Sequence, residues 1–218
     1  MLPPLHVVTT DEVLRHADFE ETARSVLAAG GARIALHLRG GRTTTRRIFD
    51  LAAALVPVAN TTGSWIVVND RVDVALATDA HGVQLTSRSL TVSDARLAAP
   101  AMRVGASVHS AMEARDAADA GADWLVAGNI YRTPSHPDRD ARGLDFAIEV
   151  AEVSRVPVIA IGGIRPQHIQ ALAGAGLAGV AVIRGVWEGR DAGAAVADYL
   201  SRYDRAHPGS HADDPAQR

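Results

Sequence analysis

Val158–Gly185 reads VIAIGGIRPQHIQALAGAGLAGVAVIRG. An apolar run meets a Gly162–Gly163 turn, Pro166 opens an alanine-rich segment that stops around Gly174 to Gly176, and a second apolar run ends on its own glycine turn at Arg184-Gly185. Proline near a first helical turn and glycine just past a last one are helix punctuation. Continuous apolar runs, rather than alternating ones, suit parallel strands covered on both faces. The segment therefore reads as strand, helix, strand.

Working outward, the same unit recurs along the chain. The apolar runs are Leu5–Thr9, Ile34–Leu38, Trp65–Asn69, Gly82–Leu85, Arg103–Val108, Trp124–Gly128, Val158–Gly162 and Gly179–Ile183, eight in all. Between them, Asp18 with Glu21 reads as a capping box and Gly30–Gly31 as a stop. Ser110 with Glu113 is a second capping box, opening a helix expected to end near Gly121, and Thr91 or Ser93 is the expected cap of a brief helix before Arg103. Pro57 interrupts the helical pattern of Thr44 to Asn60, which predicts a kink or an early stop. Eight such units favour a closed (β/α)8 TIM barrel over an open doubly wound sheet, and no G-x-G-x-x-G follows the first run. The fold class is α/β, with one barrel domain over residues 1–203. The tail 204–218, with Pro208, Gly209, Pro215 and no apolar periodicity, is expected to be disordered.

Bulk composition agrees with one such domain. The 218 residues are 47 % hydrophobic but only 4 % aromatic, so aliphatic packing must build the core. A formal net charge of −3 gives no concentrated basic surface and argues against a nucleic-acid partner. The absence of cysteine excludes disulfides, thiol nucleophiles and thiolate metal sites. Met1–Leu5 holds two prolines and no apolar run reaches membrane length, so a soluble, cytoplasmic protein without a membrane partner is expected.

Barrel chemistry sits at the C-terminal mouth, on strand ends and the loops that follow. Gly162, Gly163, Ile183, Arg184 and Gly185 end the last two strands, leaving backbone N–H groups bare beside a cation. Two adjacent glycine turns at this place form a phosphate cradle in many barrels, although glycines also simply permit tight turns. Asn69-Asp70 ends the third strand; Asp70 there would hold Mg2+, orient a substrate amine or cap the next helix. Ser107 and His109 fall on one side of the fifth strand end, with His109 either a general acid/base or a residue packed at the helix start. The long irregular segment Asn129–Gly143 is a candidate lid that offers Thr133, Ser135 and His136, with Arg132, Arg139 and Arg142 able to attract anions or to face solvent.

Read in order, these strand ends resemble the thiamine phosphate synthase superfamily, which includes the thiazole tautomerases of the TenI type. The resemblance runs from about Leu5 to Leu200. It is carried by His37-Leu38-Arg39, Val67-Val68-Asn69-Asp70, Gly82-Val83-Gln84-Leu85, Gly105-Ala106-Ser107-Val108-His109, Gly121-Ala122-Asp123-Trp124, Thr133-Pro134-Ser135-His136, Ala160–Ile164 and Gly179–Ile183. A synthase joins an aminopyrimidine pyrophosphate to a thiazole phosphate, with Mg2+ and lysines stabilising the departing pyrophosphate. Here the family's glutamine-x-arginine-x-lysine reads His37-Leu38-Arg39-Gly40-Gly41, the first metal aspartate matches Asp70, and the second falls at Ser89. The lysine expected after the sixth strand is His136, and the chain has no lysine, all 22 basic residues being arginine.

These losses resemble the tautomerase branch, which aromatises a carboxythiazole phosphate by moving a proton and needs no metal. That branch's catalytic histidine falls at Asn129, which cannot shuttle a proton at neutral pH. The implied catalytic set is then His109, His136 and Asp70, with Arg39, Asn69, Ser107, Asn129, Thr133 and Ser135 on substrate. A TenI-like proton-transfer enzyme is the favoured expectation, with no metal site and no cofactor. A divergent synthase with substrate-held Mg2+ and a non-catalytic thiazole phosphate-binding protein are the alternatives. The expected partner is a small phosphorylated thiazole-type ligand, with a homodimer through helical faces as the common assembly for barrels of this size.

Overall fold

A computed structural model describes residues 1–133 and 140–208. Eight parallel strands, β1 (Leu5–Val8), β2 (Ile34–Leu38), β3 (Trp65–Asn69), β4 (Gly82–Leu85), β5 (Val104–Val108), β6 (Trp124–Gly128), β7 (Val158–Ile161) and β8 (Gly179–Val182), follow one another around a closed barrel. The ring is sealed by β1 pairing with β8, Leu5 opposite Val180. The helices are α1 (Phe19–Gly30), α2 (Thr45–Thr62), α3 (Val72–Ala77), α4 (Val92–Ala98), α5 (Ala111–Asp119), α6 (Gly143–Val153), α7 (Ile169–Gly174), α8 (Arg184–Trp187) and α9 (Ala192–Ala206). The fold expected from the eight runs is the fold observed, and no described helix is long and apolar enough to cross a membrane.

Strand alternation divides the apolar residues between two layers. One set, including Leu36, Ile66, Val68, Leu125 and Val180, packs outward against the helices. The other set, Val8, Ala35, Val67, Trp124, Val126, Ile159 and Ala181, fills the barrel interior. Trp124 is wholly buried there and governs its neighbours. A Cβ on Gly105 would lie 2.1 Å from Trp124 Cε2, and one on Gly82 would lie 3.1 Å from Trp124 Cη2. Glycine at both positions is thus the counterpart of one large indole in a chain with few aromatic residues.

Helix punctuation is partly as the sequence predicts. Ser110 accepts from Glu113 N at 3.1 Å, Thr91 accepts from Asp94 N at 3.1 Å, and Pro166 begins a short 3-10 turn leading into α7. The capping box at Asp18 does not form: Asp18 sits at the N-cap of α1 without a side-chain bond, and only its carbonyl engages Thr22 N. Pro57 does not stop its helix either, because α2 runs through to Thr62. Pro57 and Ala53, whose carbonyl loses its partner, both lie on the exposed face, where water can take the place of the missing N–H.

The barrel domain also extends past the expected boundary at residue 203. Helix α9 continues to Ala206, and Asp204 forms a two-pronged ion pair with Arg33, one arm at 3.1 Å. Residues 209–218 lie outside the described residues.

Candidate functional site

The strand ends enclose a cavity of about 540 Å³ at the C-terminal mouth. Its wall is built from every strand that carried a predicted site residue. Arg39 and His37 come from β2, Asn69 from β3, Ser107 and His109 from β5, Asn129 and Thr133 from beyond β6, Gly162 and Gly163 from β7, and Ile183, Arg184 and Gly185 from β8. Ser135 and His136 lie outside the described residues.

The two glycine turns are shaped by more than a ligand. Gly162 has φ +104° and Gly163 φ +65°, a region that glycine enters freely. The chain leaving β6 also passes so close that a Cβ on Gly162 would lie 2.6 Å from Asn129 Cβ, and one on Gly163 2.5 Å from Arg132 O. Gly185 faces Tyr199 Oη, which a Cβ would approach to 2.2 Å. Tyr199, buried on α9, donates from that hydroxyl to Ile164 O at 3.0 Å. One tyrosine therefore braces both turns, and burial pushes its phenol up to about 12, so it remains a donor.

Cations dominate the mouth. Arg39, Arg88, Arg132, Arg165 and Arg184 line the cavity, against the single carboxylate of Glu188 among the described lining residues. Arg184 reaches Thr133 Oγ1 at 3.4 Å and lies 3.9 Å from Glu188, and Arg132 lies 3.5 Å from the exposed Asp140. Arg39 is set in place through its backbone: Thr9 Oγ1 accepts from Arg39 N at 2.8 Å and donates to Arg39 O at 2.9 Å. Arg88 and Arg165 carried no signal in the sequence reading. Both sit in turns directly after a strand end, so the strand-end rule applied to β4, and one residue further along after Ile164, would have found them.

Asp70 is partly engaged within the protein. It has φ +60°, and its Oδ1 accepts from Thr86 N at 2.9 Å and Thr86 Oγ1 at 2.8 Å, tying the β3 end to the β4 end. It does not cap α3, whose N-cap is Arg71. Asp73 is occupied by Arg71, which holds its carboxyl below the usual range. Ser89, at the place of the second metal aspartate, closes the following turn by donating to Thr86 O at 3.1 Å. No group of three or more His, Asp or Glu side chains able to hold a metal occurs among the described residues. With Ser89 in place of a second carboxylate, the described residues offer Asp70 alone, so a Mg2+ ion here would depend on substrate phosphate oxygens for most of its ligands.

The polar groups on the floor and walls are held in definite orientations. Trp124 Nε1 donates to Gln84 Oε1 at 2.9 Å, and Gln84 Nε2 donates to Ser107 Oγ at 3.1 Å. His109 Nδ1 lies 2.9 Å from Gly128 O; a carbonyl only accepts, so Nδ1 carries the proton and Nε2 is left for a ligand. Asn69 Oδ1 and Asn129 Nδ2 are buried without a hydrogen-bond partner, an acceptor and a donor in one cavity wall. Unpartnered buried polar atoms are rare and need a bonding partner, which water or a ligand in the cavity can supply. Gln84 enters the sequence reading only as a carrier of the resemblance and His37 reads there as a structural histidine, since neither ends its strand; both line the cavity.

The cavity belongs to a chain with clear relatives. A sequence model of the family described as thiamine monophosphate synthase matches residues 5–186. The thiamine-phosphate synthase of Pyrococcus furiosus is 34 % identical over 171 residues, covering 78 % of this chain and 82 % of the relative. The thiamine biosynthesis bifunctional protein ThiM/ThiE of Symbiobacterium thermophilum is 40 % identical over 188 residues, 85 % of this chain but 39 % of that longer protein. The thiamine-phosphate synthase of Gloeobacter violaceus is 35 % identical over 92 % of this chain, which spans 58 % of the relative. The solved structure of thiamine phosphate pyrophosphorylase from Pyrococcus furiosus superposes with a TM-score of 0.82 at 31 % identity, covering 94 % of this chain and 97 % of that one. This chain belongs to the thiamine monophosphate synthase family.

Proposed function

We propose that this protein is a thiamine-phosphate synthase, joining an aminopyrimidine pyrophosphate to a thiazole phosphate with release of pyrophosphate. The single observation carrying this reading is the cavity with five arginines and one carboxylate beside two glycine turns. One phosphate needs a cradle; a leaving pyrophosphate needs additional positive charge around its developing oxyanion. The curated relatives bear the synthase name, which moves the preference from proton transfer to coupling.

The reaction suits the side chains available. The thiazole ring nitrogen carries a lone pair and no proton, so it forms the new C–N bond to the pyrimidine's methylene without a general base. The methylene–oxygen bond breaks, and its electron pair leaves with pyrophosphate. Asn129 at the position of the tautomerase histidine is therefore no obstacle to coupling, whereas aromatisation would have to draw its proton shuttle from another cavity residue such as His109. The N–H groups of the Gly162–Gly163 turn and Arg184 hold the thiazole phosphate. Arg39 and Arg88 face the pyrophosphate, where a guanidinium fork meets two oxygens at once. Lysine is dispensable at such a site because arginine supplies both charge and bidentate geometry.

The test is coupling of the two substrates, with and without Mg2+, followed by thiamine phosphate formation. Product supports the reading, and its dependence on Mg2+ would report metal carried in by the pyrophosphate. Absence of product in both conditions overturns it. An aromatisation assay on the carboxythiazole phosphate then selects between the tautomerase and a thiazole phosphate-binding protein.

A further inference from the structure

Asp11 follows β1 and does not line the cavity, yet its carboxylate collects the loop that leaves β2. Oδ2 accepts from Gly41 N at 3.1 Å. Oδ1 accepts from Arg42 N at 2.9 Å and from Thr43 N and Thr43 Oγ1, both at 2.7 Å. Two residues earlier, Thr9 Oγ1 holds Arg39 by both its N–H and its carbonyl. From Arg39 to Thr43 only Gly40 is not gripped, and Thr44 then caps α2 by accepting from Arg47 N at 3.2 Å. Gly40 is where the loop passes tightest around the carboxylate: a Cβ there would lie 2.5 Å from Thr43 Oγ1 and 3.0 Å from Asp11 Oδ1.

This grip decides how Arg39 is presented. Desolvation works against the Asp11 charge, but the donors of Thr43, Arg42 and Gly41 hold its carboxyl below the ordinary 3.8, so it is ionised at pH 7. Its charge is directed at main-chain N–H groups and one hydroxyl. Among the described residues no ion pair engages Asp11 or Arg39. Arg39 therefore lines the cavity with its charge available to an anion. An arginine on a loose loop loses backbone and side-chain freedom when it closes on a ligand; one on a fixed loop loses only rotamers. Gly41, where the resemblance places a lysine, supplies no charge and gives its N–H to Asp11 instead. The β2 end relies on one cation held in place.

We propose that Asp11 is a positioning residue for Arg39: its carboxylate, acting with Thr9, fixes the Arg39–Thr43 loop so that the guanidinium meets the pyrophosphate end of the substrate already ordered. Naming the anion as pyrophosphate rests on the synthase reading; the clamp itself does not. Coulomb's law alone predicts the opposite effect of deleting Asp11, since removing a negative charge near the mouth should tighten the binding of an anion. A loss of affinity is thus the signature of positioning.

The experiment is titration calorimetry with inorganic pyrophosphate at pH 7.5 on the whole protein and on Asp11→Ala, Asp11→Asn, Arg39→Gln and the Asp11→Ala/Arg39→Gln double variant. Asp11→Ala should weaken binding about tenfold, the order expected when one loop residue must be ordered on binding. Asp11→Asn can keep the oxygen that holds Arg42 and Thr43 and should stay within about threefold of wild type. In the Arg39→Gln background, Asp11→Ala should change the affinity by less than about twofold, because no guanidinium is left to place. In the coupling assay, kcat/KM for the aminopyrimidine pyrophosphate should follow the same order. Unchanged or tighter binding in Asp11→Ala, an equal loss in both backgrounds, or a wild type that does not bind pyrophosphate would each overturn the proposal. If Asp11→Ala does not fold, Gly40→Ala, which forces the loop off the carboxylate, decides it by the same pattern. A wild type that binds pyrophosphate but does not couple refutes the synthase reading instead and leaves the clamp to the calorimetry.

Discussion

Acidification should destabilise this protein well above the pH at which its carboxylates titrate, and His6 is the reason. In the fold its pKa is lowered to about 4, whereas an exposed chain holds it at the ordinary value of 6.5. Between those two values the unfolded chain binds a proton that the folded one refuses. Stability is therefore fully present above 6.5 and falls as the pH drops toward 4. From pH 7.5 to pH 5 the ratio of the two binding polynomials gives a loss of about 2 kcal/mol from His6 alone. His37 shifts the same way, by burial and by facing His6, and adds to the loss. Asp11 does not contribute in this window: the backbone and hydroxyl donors of Gly41–Thr43 hold its carboxyl below the usual 3.8 against the effect of desolvation, so it acts only at lower pH. Urea unfolding at half-unit steps between pH 7.5 and 5 measures the slope directly. His6→Gln, which cannot titrate, should be less stable at pH 7.5 but have a distinctly flatter profile. A wild-type profile that is level across the window, or an equally steep one in His6→Gln, would refute the reasoning.

Other substitutions probe the core and the mouth separately. Gly105→Ala places a methyl 2.1 Å from Trp124 Cε2 and 2.4 Å from Gln84 Oε1; it should cost about 1–3 kcal/mol in urea unfolding, with Trp124→Phe recovering part of the loss in the double variant. Tyr199→Phe keeps the ring but strands the buried Ile164 carbonyl. A loss of about 1–3 kcal/mol is expected, together with weaker thiazole phosphate binding by calorimetry because the two glycine turns lose their brace. Arg39→Gln should lower kcat/KM for coupling by about 10²–10³, mainly through kcat if the guanidinium meets the departing oxyanion. Asp70→Asn should reduce coupling far less than that, since Asp70 Oδ1 is engaged by Thr86; a collapse in rate would identify it as a metal ligand after all.

The barrel was legible because each strand is a short unbroken apolar run between glycine or polar turns, a pattern that survives without any knowledge of contacts. Strand limits agree to a residue, as with Arg103, which the sequence places in a strand that begins at Val104. Pro57 was misread because the penalty of a proline depends on which face its missing bond occupies, and burial is a tertiary fact. Residues at strand ends, such as Arg39, Ser107 and Gly162, were found from topology alone. Arg88 and Arg165 were not, because a cation in a turn looks like any solvated arginine until the turn folds inward. The His6–His37 contact was beyond sequence reading: the two residues stand 31 positions apart and no motif joins them.

The brace made by Tyr199 has a consequence for how the molecule comes into being. The glycine turn after β7 and the one after β8 both precede α9 in the chain, yet the hydroxyl that joins them arrives only with residue 199. During synthesis the strands can close and the arginines can gather while the cradle still lacks its pin. Ligand capture should therefore wait for α9 to emerge and dock, rather than growing with each strand that appears.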